Sequence, residues 1–440
     1  MVSRSTRAPG RPRLSTSLFC VLIGGPAIAA AAPPGSHVDT GDTAWVLASA
    51  ALVLFMTPGL ALFYAGMVRR KNVLGTMLHS FVAMALVTVL WMLFGYSLAF
   101  GDGGAFIGGL QHLGLAGVGA APNALAPTVP ALAFMVYQCM FAVITPALIS
   151  GAVAERMRFR AYLWFIGLWM TVIYLPLVHW MWGGGWMSQM KALDFAGGAV
   201  VHVSSGFSAL VACLVLGVRR DDTEDIAAPH NLPLTVLGAG ILWFGWFGFN
   251  AGSALGANSV ACYAFVNTNA SAAAGMLAWM LMEQLRHGRP TALGSVSGAV
   301  AGLATITPAA GYVTPCAALC IGVVAGVVCF GAVELKSKLG YDDSLDVFGV
   351  HGIGGVIGML AAGLLATVAV NPAASNGLLH GNPGQLGVQA LAVLATITYA
   401  MAGTFVLLKV IGWFTPLRLA PDEESDGLDL SLHEEIGYRF

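Results

Sequence analysis

Residues 194–202 read Asp194-Phe-Ala-Gly-Gly-Ala-Val-Val-His202, and residues 346–351 read Asp346-Val-Phe-Gly-Val-His351. Each stretch is an acid, a glycine-bearing turn and a histidine, and each opens a long apolar run, at about 197–217 and 347–370. Nine more such runs lie at about 44–68, 75–100, 128–153, 161–182, 233–254, 259–283, 293–311, 315–335 and 386–411. Each is near the 17–25 residues a tilted helix needs to cross a bilayer. Only 9% of the 440 residues are charged and 57% are hydrophobic, whereas a soluble domain carries about 25% charged residues. Lipid is therefore the expected solvent, and the expected fold is an all-α integral membrane protein of eleven transmembrane helices. A net charge of -1 with no basic patch offers nothing to nucleic acid.

The positive charges set the orientation. Arg69, Arg70, Lys71, Arg156, Arg158, Arg160, Arg219, Arg220, Arg286, Arg289, Lys336 and Lys338 all follow odd-numbered runs, and only Lys191 follows an even-numbered one. This asymmetry predicts an N-out/C-in chain with an odd number of spans. Span 5 then starts at the outer face and span 10 at the inner face. Their rhyme suggests two five-helix halves of opposite topology, about 44–217 and 233–370, plus one extra helix at about 386–411. At 1.5 Å per residue, His202 lies about 12 Å beyond Asp194, and His351 about 7.5 Å beyond Asp346. The two imidazoles can therefore meet near the midplane.

Residues 1–32 read as a signal peptide: Arg4, Arg7, Arg11 and Arg13, then the short apolar run 18–28, then Ala29–Ala32. A retained N-terminal arm is the alternative. Residues 412–440 form an acidic, polar cytoplasmic tail. The seven cysteines show no C-x-x-C spacing, so neither a metal centre nor a disulfide framework is expected. No cofactor, catalytic constellation or enzymatic activity is expected either.

An ionisable side chain at the bilayer centre costs about 2.5–3.5 kcal/mol on insertion scales. Asp194, His202, Asp346 and His351 are therefore candidates for function. His79 and His179 lie in other spans; Glu155, Glu283 and Glu334 sit beside basic residues at span ends, where pairing is expected. Tyr137 and Phe141, four apart, share one helix face. With Trp182 and the hydroxyl of Ser253, these aromatics suit a small cation, each ring contributing about 0.5–2 kcal/mol. An interfacial aromatic belt is the competing reading.

These residues fall within a longer series that resembles the Amt/Mep/Rh ammonium transporter family, on its Amt branch. The motifs are Phe-Tyr-Ala-Gly-Met-Val-Arg at 63–69, Ile-Ser-Gly-Ala-Val-Ala-Glu-Arg at 149–156, Asp-Phe-Ala-Gly-Gly at 194–198 and Pro-His-Asn-Leu-Pro at 229–233. Gly-Trp-Phe-Gly-Phe-Asn-Ala-Gly-Ser at 245–253, Phe-Val-Asn-Thr at 265–268 and Asp-Val-Phe-Gly-Val-His-Gly at 346–352 complete the series. The resemblance implies an outer ammonium recruitment site at Trp182, Phe141, Tyr137 and Ser253, with Asp194 as a buried acid required for transport. It implies a gate of stacked rings, Phe141 and Phe249, above twin pore histidines, His202 and His351. It further implies a homotrimer with one pore per subunit in the cell inner (plasma) membrane, and a tail resembling those that dock a PII-type (GlnK-like) signal protein. Two departures stand out. Glu434 follows His433 where relatives usually carry Gly, and Tyr137 stands where Phe is common.

Ammonium and potassium match in charge and size, but only ammonium can shed a proton. A dry apolar pore disfavours the charged form, so deprotonation below the recruitment site would select ammonium by chemistry, with the histidines hydrogen-bonding ammonia and offering a path for a separate proton. The expected function is ammonium transport for nitrogen uptake. The alternatives are an ammonium sensor signalling through its tail, a haem-binding electron carrier, and two histidines simply satisfied in the core.

Overall fold

The computed structural model describes residues 36–220 and 228–439; the expected signal peptide lies outside them. Among the described residues, nine helices are long and apolar enough to cross a membrane. They are α1 (Thr40–Met67), α2 (Arg70–Phe100), α3 (Ala131–Val153), α4 (Phe159–Gln189), α5 (Gly198–Leu216), α6 (Leu232–Ala254), α9 (Pro315–Leu339), α10 (Phe348–Leu365) and α11 (Pro383–Phe414). Two more helices stand between α6 and α9: α7 (Ser259–His287) and the shorter apolar α8 (Ala292–Ile306). A small antiparallel hairpin, β1 (Pro122–Asn123) and β2 (Ala126–Pro130), interrupts the otherwise helical architecture.

The sequence marks the helix ends. Asn231, Asn258 and Thr291 accept hydrogen bonds from the amides of Leu234, Ala261 and Gly294, capping α6, α7 and α8. Gly288 and Gly340 close α7 and α9. Aromatic bulk fills the interior: Trp91, Trp169, Trp246, Tyr137, Phe141 and Phe249 are all essentially inaccessible. Leucines such as Leu277 and Leu285 face outward, 66% and 70% exposed. An outer surface this apolar would be an association hazard in water and is an ordinary contact for lipid.

The two histidine-bearing helices cross at glycines. A Cβ on Gly206 would lie 2.2 Å from the Gly352 amide nitrogen, and one on Gly355 would lie 2.9 Å from that of Val203. No larger residue permits this approach. Both helices begin with a wide π-helical turn, Gly198–Val203 and Phe348–Gly352, and each turn contains its histidine. Such turns are rare and cluster at functional sites.

The tail folds back beneath the bundle as α12 (Pro421–Asp426) and α13 (Leu428–His433). It contributes more than a polar composition suggests. Leu428 and Asp429 are buried, and the Asp429 carboxylate accepts the amides of Leu74 and Gly75 at 3.1 and 2.8 Å. A tail residue thus satisfies two amides near the start of α2, where the α-helical part begins at Val73. Burial raises the Asp429 carboxyl pKa despite these bonds. Glu424 pairs with Arg418 and accepts the Arg220 amide; although burial opposes ionisation there, the Arg418 hydrogen bonds outweigh it and hold its pKa below the usual range. Glu434, the departure noted above, ends α13 at φ 55 and ψ 32, a left-handed conformation that suits Gly and costs other residues about 1–2 kcal/mol.

Candidate functional site

Asp194 is 4% exposed, and its carboxylate is consumed by backbone. One oxygen accepts the amides of Gly197 and Gly198 at 2.8 and 2.5 Å, and the other those of Ala199 and Val200 at 2.8 and 3.2 Å. Four orphan donors of the α5 N-terminus are thereby satisfied by one negative charge. Gly197 makes the wrap possible: its φ of 115° is open only to glycine. Trp182 donates its indole N–H to the Asp194 carbonyl at 2.9 Å.

Asp194, Trp182, Phe141 and Ser253 line one open vestibule. The Phe141 ring meets Trp182 edge-on at 6.0 Å and stacks on Phe249 at 4.3 Å with 26° between the planes. Tyr137 is fully buried behind this layer, edge-on to Phe141 at 5.0 Å. Its hydroxyl lies 2.9 Å from the Gly248 and Phe249 carbonyls and 3.1 Å from Ser253 Oγ. It therefore ties down the end of α6 and does not line the vestibule; Ser253 supplies the hydroxyl there.

Beyond the Phe141–Phe249 pair lies a narrow apolar cavity walled by Leu60, Ile144, Leu148, Trp246, His202 and His351. His202 Nδ1 and His351 Nδ1 are 3.2 Å apart, with the rings nearly parallel at 15°. One nitrogen must donate and the other accept. Trp246 stacks on His202 at 5.6 Å and is held by donation to Thr307 Oγ1 at 2.9 Å. His202 Nε2 is buried with no partner among the described residues. A small polar molecule in this cavity would find few hydrogen-bonding groups besides the imidazoles. His351, Phe63 and Val300 continue into a second vestibule that also includes Glu283 and Asp346.

Asp346 departs from the sequence rhyme. It is partly exposed and pairs with Lys336 Nζ at 2.5 Å. The acid that caps α10 is Asp343, 1% exposed, which accepts the Phe348 amide at 2.7 Å. Burial pushes its carboxyl up to about 6. Its neighbour Asp342 is also hampered by burial, but hydrogen bonds and charge from Arg219 and Arg156 hold its pKa below the usual range. Of the remaining ionisable candidates, Glu155 is fully buried between Arg69 and Arg219 at 2.9 and 3.1 Å. His179 lies between the Ala99 and Gly104 carbonyls, 3.0 and 2.8 Å away. His79 lies against Tyr162 at 4.2 Å with the rings tilted by 39°. Neither histidine lines the cavity holding His202 and His351. The described residues contain no cluster of metal-ligating side chains.

Residues 44–438 match the model of the Ammonium Transporter Family. An ammonium transporter of Bacillus subtilis is 54% identical over 403 residues, covering 91% of this chain and 99% of that protein. The ammonium transporter Amt1 of Archaeoglobus fulgidus is 48% identical, covering 91% and 100%. Among solved structures, Candida albicans Mep2 superposes with a TM-score of 0.83 at 38% identity, covering 88% of each chain. A protein described as a sensor Amt protein superposes with a TM-score of 0.82 at 28% identity, covering 89% of this chain and 98% of that one.

Proposed function

The chain belongs to the ammonium transporter family, and from that premise we propose that it recruits ammonium at its outer mouth, deprotonates it and conducts ammonia through the twin-histidine pore for nitrogen uptake. Trp182, Phe141 and Ser253 receive the cation, with Tyr137 setting the ring and hydroxyl positions from behind. Asp194 fixes the α5 terminus and supplies the field that favours a positive charge. The Phe141–Phe249 stack excludes the hydrated cation, and His202 and His351 carry ammonia and relay the separate proton. α1 to α11 all cross the inner (plasma) membrane, N-out/C-in, as two inverted five-helix halves and one extra helix. Three copies assemble into a homotrimer, and the tail docks a PII-type partner.

The observation that carries this reading is the sequence of cavities: a vestibule holding Trp182 and Asp194, a ring pair at 4.3 Å, then an apolar passage whose polar groups include two imidazoles. Desolvation there penalises a cation far more than neutral ammonia. The test is methylammonium uptake into vesicles containing wild type or Asp194→Ala at equal abundance. Wild-type uptake with none in the variant is expected; near-normal uptake by the variant overturns the role of Asp194. A second reading, an ammonium sensor acting through the tail, draws on the likeness to the sensor protein. Absence of uptake by wild type, with ammonium still bound, would favour it.

A further inference from the structure

The helix outside the paired halves, α11, carries two glutamines on one face, Gln385 and Gln389, which are 3% and 0% exposed. A buried primary amide has four hydrogen-bonding positions to satisfy, and Gln389 satisfies all four. Its Oε1 accepts the Leu193 amide at 2.7 Å and faces Gln385 Nε2 at 3.4 Å; its Nε2 donates to the Leu193 carbonyl at 2.6 Å and to the Met359 carbonyl at 3.1 Å. The two backbone groups of Leu193 fix which end of the amide is which. Gln385 Nε2 also donates to the Lys191 carbonyl at 3.0 Å.

Leu193 immediately precedes Asp194, and the next amide, Phe195 N, donates to the Pro308 carbonyl at 3.1 Å. The backbone is thus pinned on both sides of the acid: by Gln389 before it and by the turn after α8 beyond it. Met359 belongs to α10, the helix of His351. One amide on α11 therefore joins the segment leading into the mouth acid to the helix bearing a pore histidine. Buried backbone groups need partners, and no other side chain reaches both ends of Leu193 among the described hydrogen bonds.

We infer that Gln389 is a positioning residue for ammonium recruitment: it holds the Leu193 backbone so that the Asp194 carboxylate stays wrapped at the α5 terminus beneath Trp182. This rests on the proposed role of Asp194. Gln389→Glu keeps the shape and the acceptor but turns a second oxygen toward the Leu193 and Met359 carbonyls. Gln389→Met keeps the length and removes every polar contact.

The experiment measures methylammonium uptake against concentration in vesicles, per copy of transporter, for wild type, both variants and Asp194→Ala. Each Gln389 variant is expected to raise the half-saturation concentration about fivefold or more. A merely structural role would reduce the number of copies in the membrane and leave both the per-copy maximal rate and half-saturation unmoved; that result overturns the inference. Should neither variant reach the membrane, Gln385→Met loosens the same segment by the Lys191 bond. It is expected to raise half-saturation about twofold, and an unchanged value is again fatal. Transport retained by Asp194→Ala would sink the role of the acid itself, whereas its loss alongside normal Gln389 variants would sink only this inference.

Discussion

Removing one of the two facing histidines should cost nearly as much as removing both. The Nδ1 atoms of His202 and His351 lie 3.2 Å apart in an apolar cavity, so each Nδ1 has the other as its partner. His202→Ala deletes that bond and leaves a buried nitrogen of His351 unpaired, a penalty of about 1–3 kcal/mol. If the same pair stabilises ammonia and its proton in passage, losing an interaction worth about 1–3 kcal/mol at the barrier corresponds to about a 5- to 150-fold loss of conduction. His351→Ala should cause a similar loss from the opposite side. Once one partner is gone, deleting the second removes an already unpaired group, so the double variant should be little worse than the worse single variant. The assay is methylammonium uptake per copy for wild type, both single variants and the double variant. Losses that add to within about 0.5 kcal/mol would mean two independent residues and refute the paired mechanism.

Two further outcomes concern the end of the bundle that carries the tail. Asp343 is buried and its carboxyl is pushed up to about 6. The folded state thus binds this proton more tightly than the unfolded chain, and the stabilisation is greatest at low pH. Stability should fall by about 2–3 kcal/mol as pH rises from near 4 to above 6, and comparison of thermal melts with Asp343→Asn should show this slope missing in the variant. Glu434→Gly should relieve the left-handed strain at the end of α13 and strengthen tail docking by about 1 kcal/mol; hydrogen exchange over 428–433 should slow by about fivefold.

The parts of the site legible in the sequence are those written in local spacing. The histidines enter on two glycine-bearing helix starts, and Tyr137 and Phe141 share a face because they are four residues apart. What escaped depends on how backbone folds over a side chain. Asp194 caps amides three to six residues ahead, and the same offset applied before Phe348 leads to Asp343. The shorter Asp346-to-His351 spacing drew attention to an acid that instead pairs with Lys336. The hydroxyl of Tyr137 lies against the Gly248 and Phe249 carbonyls and Ser253 Oγ behind the vestibule, contacts that composition alone does not announce. The tail reads as solvated from its charge, yet Asp429 is drawn in by unsatisfied amides of α2, 355 positions away in the chain. Gln389 is one of several polar residues in a mostly apolar run, and its partners lie on a distant loop and on α10.

Ammonium carries a proton it can lose and potassium does not, so comparing the two in one bilayer tests deprotonation directly. The decisive measurement is current across vesicles reconstituted with the wild-type protein, following equal concentration steps of ammonium and of potassium. An ammonium current with no potassium current is expected from a pore that passes ammonia and relays its proton separately. A potassium current comparable to that of ammonium would show passage of the intact cation and contradict deprotonation as the basis of selection.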